Sequence, residues 1–426
     1  MIKKFYDVII AGGGTAGCAC AYAAAKSGLK VLLIEKNSFL GGSITSSLVI
    51  PAMKTSENAI NTDFFNLLFN ELHKIGGASE YSDGNKGWFN PELTKIILDK
   101  LLKSAGADIL FESKIINLNK KLSSCIATVD SNNSVADHRV LLSYIESKHV
   151  VDATGDAEIC KMLNCEFLND NENKIQPVSL RFIMSGINIK VFAEWLMDLD
   201  TDRNVTTTCC TDNATLLSTA YTWDDNTNWA LRPLFKMGIE QGIITEEDSN
   251  YFQIFSVAGT QDSVAFNCPR LLDTDISRSE AYIKGRESIL RLSDFCRKFL
   301  PGFENAYISS IANTLGVRVS RRVKGKYIYT KNDLISGKSF DNPVVISNYP
   351  VDIHSSDKNS SKFEKVSQEY MLPIESLIVN DNLYVVGRCI SAEFEAQAAL
   401  RIIPSCFSMG EGLGKYLAKI IGESQL

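Results

Sequence analysis

Six residues near the N-terminus, Gly12-Gly13-Gly14-Thr15-Ala16-Gly17, have the types and spacing for nucleotide chemistry. They contain G-x-G-x-x-G between an apolar run, residues 5–10, and an Ala-rich stretch, residues 15–27. In such a loop the first glycine permits a tight turn. The second lets backbone approach a diphosphate, and the third lets a helix pack on a strand. The helix start offers free N–H groups and a dipole worth about 0.3–1 kcal/mol to a nearby anion. Glu35 ends a second β-rich run, residues 30–34, at the distance where a carboxylate accepts from a ribose diol. That charged bond is worth about 1.5–3 kcal/mol. A Gly-rich turn is the bland alternative. Strand, loop, helix, strand and acid in this order favour dinucleotide binding, and the loop alone suits NAD as well as FAD.

The elements that must position these residues are legible along the chain. The β–α–β unit closes within about thirty residues, the size of a mononucleotide-binding half. Residues 90–106 carry a helix signature: Asn90 as cap, Pro91 in the first turn, Lys100 and Lys103 near the end, and Gly106 as stop. A β-rich stretch runs from Asp108 to about Asp152. From about Cys165 to Pro373 the texture is mixed. Strands such as 178–184 alternate there with polar segments such as 204–214 and with a long helix near 276–299. Residues 354–362 read as a polar loop. A last β–α unit closes the chain: strand 383–386, Gly387, then a helix from about Pro404 to Ile421. No internal repeat is visible.

At 426 residues the chain needs more than one simple core. With 44 basic and 50 acidic residues, the net charge of −6 argues against a broad basic face for nucleic acid. No apolar run is long enough to span a bilayer. Lys3 and Lys4 precede an apolar run that breaks at Gly12-Gly13-Gly14, which reads as a first strand and not a signal peptide. The eleven cysteines are irregularly spaced without a C-x-x-C, so no metal site or redox dithiol is expected, and a reduced cytoplasmic setting is.

Further motifs bring in a resemblance. Ile34-Glu35-Lys36 with Phe39-Leu40-Gly41-Gly42-Ser43 resembles FAD-binding enzymes of the glutathione-reductase structural class. Val150-Val151-Asp152-Ala153-Thr154-Gly155-Asp156 is similar to their second fingerprint, and Leu383-Tyr384-Val385-Val386-Gly387-Arg388 to their C-terminal flavin fingerprint. Five further stretches occur in order: Trp88–Glu92, Gln176–Leu180, Gly316–Arg322, Tyr349–His354 and Gly387–Pro404. Together they resemble the broad bacterial family of FAD-dependent oxidoreductases over nearly the whole chain. Where that family pattern carries histidines after Ser391, this chain has Phe394 and Gln397.

The resemblance implies an α/β fold: a Rossmann-like, three-layer FAD domain with a mostly parallel sheet, residues 1–165 and 374–426. A mixed α+β substrate domain, residues 166–373, would lie over the flavin. It implies FAD contacts at Gly12, Gly14, Thr15, Ala16, Gly17, Glu35, Lys36, Gly42, Ser43, Ala153, Thr154, Gly155, Asp156, Gly387, Arg388 and Arg401. The helix starting near Pro404 would point its N-terminus at the flavin pyrimidine edge, with Ser405 and Cys406 near the ring. No histidine or cysteine stands beside Gly41-Gly42, so the FAD is expected to be non-covalent.

His354, Arg181 and Arg388 are the candidates for chemistry. His354 suits proton transfer near neutrality, against the bland reading of a loop residue. Among Arg318, Arg321 and Arg322, one guanidinium could clamp a carboxylate or the cofactor, against an ion-paired cluster. Asp156 is expected to cap a helix or touch the cofactor. Glu393 and Glu395 read more simply as solvent-facing. Trp88, Trp195, Trp223 and Trp229 read as core or cavity lining.

The expected activity is hydride transfer between a small organic substrate and flavin N5, with NAD(P)H, O₂ or a protein as electron partner. The alternatives are a flavin monooxygenase, a flavin-dependent RNA-modifying enzyme and a non-catalytic nucleotide-binding protein. A disulfide reductase is disfavoured, because a second dinucleotide fingerprint and a redox dithiol are both missing from the sequence.

Overall fold

Residues 6–11 are an apolar run with no polar alternation except Asp7, which suits a strand buried on both faces. The computed structural model places that strand, β1 (Phe5–Ala11), in the middle of an eight-stranded sheet. The structure describes residues 3–80, 85, 87–121, 123–131, 141–168, 176–203, 205–210, 215–222, 229–271, 277–354 and 361–423.

The main path of this sheet runs Ile378–Asn380, Leu383–Val385, Leu141–Asp152, β1, β2 (Val31–Ile34) and Asp108–Leu110. The pairs around β1 are parallel, with Ile9 against Leu32 on one side and Val150 on the other. Leu383 in turn pairs in parallel with Val150. The sheet therefore draws strands from both ends of the chain. Strand Leu141–Asp152 has two partners: Cys125–Ser131 pairs with it antiparallel, and β1 pairs with its second half in parallel.

Helix α1 (Thr15–Lys26) is Ala-rich because it is covered on two sides, by the sheet and by the closing helix Ile403–Glu423. Two glycines of the closing helix make that crossing close. A Cβ on Gly410 would lie 2.1 Å from the Ala16 carbonyl oxygen, and one on Gly414 would lie 2.6 Å from that of Cys20. The helix Pro91–Ala105 has the expected ends: the Asn90 side chain accepts from the Glu92 and Leu93 N–H groups, and Gly106 is left-handed.

The remaining large sheet has six antiparallel strands in the order Thr206–Cys210, Thr215–Thr222, Tyr251–Ser256, Val264–Phe266, Phe182–Ser185 and Tyr307–Ile311. Phe182 and Phe266 stack at 4.2 Å between ring centroids, and Phe235 packs on Phe252 and Phe295. Each such buried ring contributes about 1.5–3 kcal/mol.

Two expectations change here. The run 178–184 is not one strand: Val178–Ser179 pairs with Arg270–Leu271, and only Phe182–Ser185 joins the sheet. Arg181 sits at the break. The polar stretch 204–214 contains strand Thr206–Cys210, because β-branched threonines pair well with Thr215–Thr222 despite their polarity. Trp223 and residues 355–360 of the expected polar loop lie outside the described residues.

The chain leaving the second sheet is tied to the segment after Gly41-Gly42. Thr314 N–H donates to the Ser46 carbonyl at 3.1 Å, and the Ser47 and Thr314 hydroxyls are 2.9 Å apart. Trp88 packs on Phe255 at 5.3 Å. The segment following Gly41-Gly42 is thereby fixed against the wall of the cavity described below.

Candidate active site

The parallel strands end on one edge of the sheet, where Gly12, Glu35, Ala153 and Gly387 follow their respective strands. In α/β sheets that edge is where ligands bind. The three fingerprint glycines have different surroundings. Gly12 has φ +105°, and a Cβ there would lie 2.5 Å from the Ala153 carbonyl oxygen. A Cβ on Gly17 would lie 2.0 Å from the Gly12 carbonyl oxygen. A Cβ on Gly14 would instead make only an ordinary contact, with the Gly42 Cα at 4.0 Å. Gly42, at φ +57°, comes close to Gly14 from the other side, and Thr15 Oγ1 donates to the Gly41 carbonyl at 3.3 Å. The result is a backbone cradle at a helix N-terminus, open where a diphosphate would sit. The residues present fit a dinucleotide.

Glu35 is buried and already holds the loop. Its Oε2 accepts from Gly13 N–H at 2.7 Å, and its Oε1 accepts from the Asn37 N–H and side-chain amide. Burial raises its pKa, opposed by the hydrogen bonds from Asn37 and Gly13. Three of its four acceptor sites are thereby used, and one on Oε2 remains for a ribose hydroxyl. Lys36 is exposed beside it, Ser43 is half-buried, and Ala16 is buried where α1 meets the closing helix.

The turn after Asp152 departs from expectation at Asp156. The helix there begins at Glu158 after Ala157, and Thr154 Oγ1, not Asp156, accepts the Glu158 N–H at 2.9 Å. Asp156 is instead engaged by Arg388 and by Arg278, at 2.5 and 2.9 Å. Those guanidiniums outweigh the burial that would raise its carboxyl, which stays well below the usual carboxylate range. Asp152 shapes the turn from beneath, accepting from Thr154 and Cys160. A Cβ on Gly155 would meet the Arg388 guanidinium at 3.1 Å. Arg388 is therefore ion-paired at the sheet edge, and it does not line the cavity where His354 and Arg181 lie.

Gly387 N–H points at the Met409 sulfur at 3.1 Å, so this strand end and the closing helix touch. At the start of that helix Pro404, Ser405 and Cys406 are all buried. The Ser405 hydroxyl has no protein partner among the described residues, which suits a polar group absent from the protein itself. Gln397 is a strut: its amide donates to the Arg318 and Arg388 carbonyls, both at 3.2 Å.

Beside the helix start lies a cavity of about 1290 Å³. Its walls include Val49–Pro51, which continue from the cradle turn, Arg401–Ile403 at the closing helix, and Arg181, Tyr251, Arg318, Asp352 and His354. Asp352 and His354 alternate on strand Val351–His354 and so share a face. His354 Nε2 lies 3.4 Å from Asp352 Oδ2, and its Nδ1 is buried with no partner among the described residues. Arg401 donates to the Asp352 carbonyl at 3.0 Å and lies 3.6 Å from its carboxylate.

A hydrogen-bonded chain continues around the wall. Arg181 Nε donates to Asn267 at 2.6 Å, Asn267 donates to Gln253 at 2.6 Å, and Tyr251 donates to Gln253 at 2.7 Å. Arg270 stacks over the Tyr251 ring at 3.3 Å. Burial, then Arg318 and Arg270, holds the His354 pKa well below its ordinary value. Burial works to raise the Asp352 carboxyl, but His354, Arg401 and Arg318 outweigh it and keep it ionised. Burial, with Arg270 and Arg401 behind it, brings Arg181 down to about 10.

Sequence reasoning passed over Asp352, Tyr251, Asn267 and Arg270 as site residues. For Asp352 a signal existed: Asp-x-His on a strand puts both side chains on one face. The other three carry no local signal. Trp229 is buried and lines the cavity, within the reading given to the tryptophans.

Known proteins extend this picture. The chain is similar over its whole length to solved flavoenzyme structures at low identity. One, from Thermoplasma acidophilum, is a geranylgeranyl bacteriochlorophyll reductase-like protein with 15% identity and a TM-score of 0.46, covering 99% of this chain and 80% of that one. Another is the p-nitrophenol 4-monooxygenase of Pseudomonas putida, with 11% identity and a TM-score of 0.48, covering 99% and 82%. A Dictyostelium discoideum protein whose name describes a bifunctional amine oxidase is 46% identical over 54 residues, 13% of this chain and 5% of that protein. Among the described residues no helix is long and apolar enough to cross a membrane. The family described as FAD dependent oxidoreductase matches residues 7–425, so the chain belongs to that family and is an FAD-dependent oxidoreductase.

Proposed function

We propose that this enzyme exchanges a hydride between a small organic substrate and flavin N5 in the cavity beside the closing helix. The observation that carries this reading is the shared wall: Val49–Pro51 lead out of the cradle turn, Arg401–Ile403 lead into the closing helix, and both meet Asp352 and His354. FAD, when bound, supplies a two-electron hydride donor and acceptor. The glycine cradle and the α1 N-terminus hold the diphosphate, Glu35 the ribose, and Ser405 with the closing-helix N-terminus the ring. Arg388 acts as a positioning residue through Asp156.

His354 is the proton-handling group. Asp352, 3.4 Å from His354 Nε2, orients the ring at the cavity wall, and the pair exchanges the substrate proton. The apolar part of the wall, including Ile50, Phe255 and Ile402, packs against the substrate's carbon skeleton. We place the chain in the glutathione-reductase structural class, within its broad bacterial group. Its nucleotide part is residues 1–165 with 374–426, and its substrate part is residues 166–373. We further infer non-covalent FAD and a cytoplasmic setting, the latter supported by eleven free cysteines.

The test is an anaerobic absorbance assay of the purified protein across NADH, NADPH and candidate metabolites. Flavin bleaching by an organic substrate, lost in His354→Gln, is the expected result. Substrate oxidation that needs O₂ and inserts oxygen would replace the hydride reading with the monooxygenase one.

A further inference from the structure

The chain as a whole carries a net charge of −6, yet the wall of its large cavity gathers five cations against three acids. Asp200 and Asp202 come with Arg232 and Lys236. The remaining three arginines, Arg181, Arg318 and Arg401, face one carboxylate, Asp352. Arg181 and Arg318 are only 7% and 6% exposed. Burying an ion costs several kcal/mol unless a counter-charge meets it, so an excess of two guanidiniums here needs an explanation. The cofactor diphosphate does not provide one, because none of Gly12, Gly14, Gly17, Gly41 and Gly42 lines this cavity.

The arginines also keep donors in reserve. Arg181 uses Nε on Asn267, and its two terminal amino groups make no hydrogen bond among the described residues. Arg401 spends one amino group on Asp352, and its Nε is buried without a partner among the described residues. Arg318 is anchored by Pro177 and Ser179 at 2.6 and 3.0 Å, so its charge is fixed in place. The Arg181 terminal amino groups present a planar fork matched to a carboxylate, and Arg318 and Arg401 add positive charge beside it. The Arg181–Asn267–Gln253–Tyr251 chain holds that fork rigidly.

We propose that the cavity takes a small organic acid with at least two carboxylates, which Arg181, Arg318 and Arg401 neutralise. This rests on the reading that the cavity is where substrate meets FAD. The carbon skeleton would lie against Ile402, Ile403 and the Val49–Pro51 segment.

The test uses the FAD-loaded protein. Linear dicarboxylates of three to six carbons, their diamides and inorganic phosphate are titrated calorimetrically, while the absorbance of the oxidised flavin is followed. At least one dicarboxylate should bind with one-to-one stoichiometry, tenfold or more tighter than its diamide and than phosphate. It should also perturb the flavin spectrum. Arg181→Gln should weaken that binding tenfold or more with FAD content and melting temperature retained, and Arg181→Lys should recover part of it. If diamides or phosphate bind as well as the acids, or no dicarboxylate produces heat, the proposal is overturned. Binding without any spectral change would instead sink the reading that this cavity adjoins the flavin. Bleaching by a neutral substrate, with no dicarboxylate binding, would keep that reading and remove the dianion.

Discussion

The cradle at Gly12–Gly17 and Gly41-Gly42 is made of backbone, whereas the cavity beside the closing helix is made of side chains, apolar ones together with a cluster of charged ones. The cradle comes from two short stretches, and its shape is enforced by atoms that a Cβ would strike. The cavity takes Arg181, Tyr251, Arg318, Asp352, His354 and Arg401 from separate stretches of the chain. The difference matches the ligands proposed for the two places. A diphosphate is the same in every dinucleotide and is met by N–H groups that any sequence supplies, provided glycine opens the way. A substrate is particular, and is met by side chains that only the fold brings together.

The largest effect should come within the cradle. Gly17→Val drives a side chain into the Gly12 carbonyl, 2.0 Å from the Cβ position, and should cost more than about 4 kcal/mol. Soluble yield and thermal unfolding would register it as loss of folded protein. Gly14→Val meets only the Gly42 Cα, at 4.0 Å from the Cβ position, so its apoprotein should unfold within about 1 kcal/mol of the parent while FAD is lost. Stoichiometric FAD in that variant would break the contrast between the second glycine and the other two.

In the cavity, His354→Gln should cut flavin reduction by about 10²-fold or more at unchanged FAD content, read in anaerobic single turnovers. A smaller effect concerns pH. The His354 pKa is depressed on folding by burial and by Arg318 and Arg270, so the unfolded chain takes up that proton first as pH falls. Its stabilising contribution is complete above about pH 6.5 and is lost as pH drops towards the folded value. Denaturant midpoints from pH 7.5 to 5 should therefore fall more steeply for the parent than for His354→Gln. Arg318→Gln should let the His354 ring titrate nearer its ordinary range, by NMR.

Glu35→Gln should be the mildest change. It keeps one acceptor for Gly13 or Asn37 and removes a charged acceptor from the ribose, weakening FAD by about 1–2 kcal/mol, or about tenfold. An unchanged dissociation constant would confine Glu35 to holding its own loop.

How legible each part was tracks how local it is. The helix Pro91–Ala105 reads from Asn90, Pro91 and Gly106 because capping needs only neighbours. Asp156 misled because two distant arginines, Arg388 and Arg278, outcompete a helix cap for its carboxylate. The polar run 204–214 misled because its threonines answer to a partner strand. Gly410 and Gly414 were passed over, although glycines four apart in a helix are a readable sign of close crossing.

The sequence by itself determined the nucleotide unit: glycines, strand runs and Glu35 act within a few dozen residues, and backbone geometry converts that order into a cradle. Only the tertiary structure decided the cavity. Arg181 and Arg401 lie far apart in the chain, and nothing in either neighbourhood says that both will line one cavity with Asp352 and His354. Their charge becomes chemistry only where folding removes the water that would otherwise screen it.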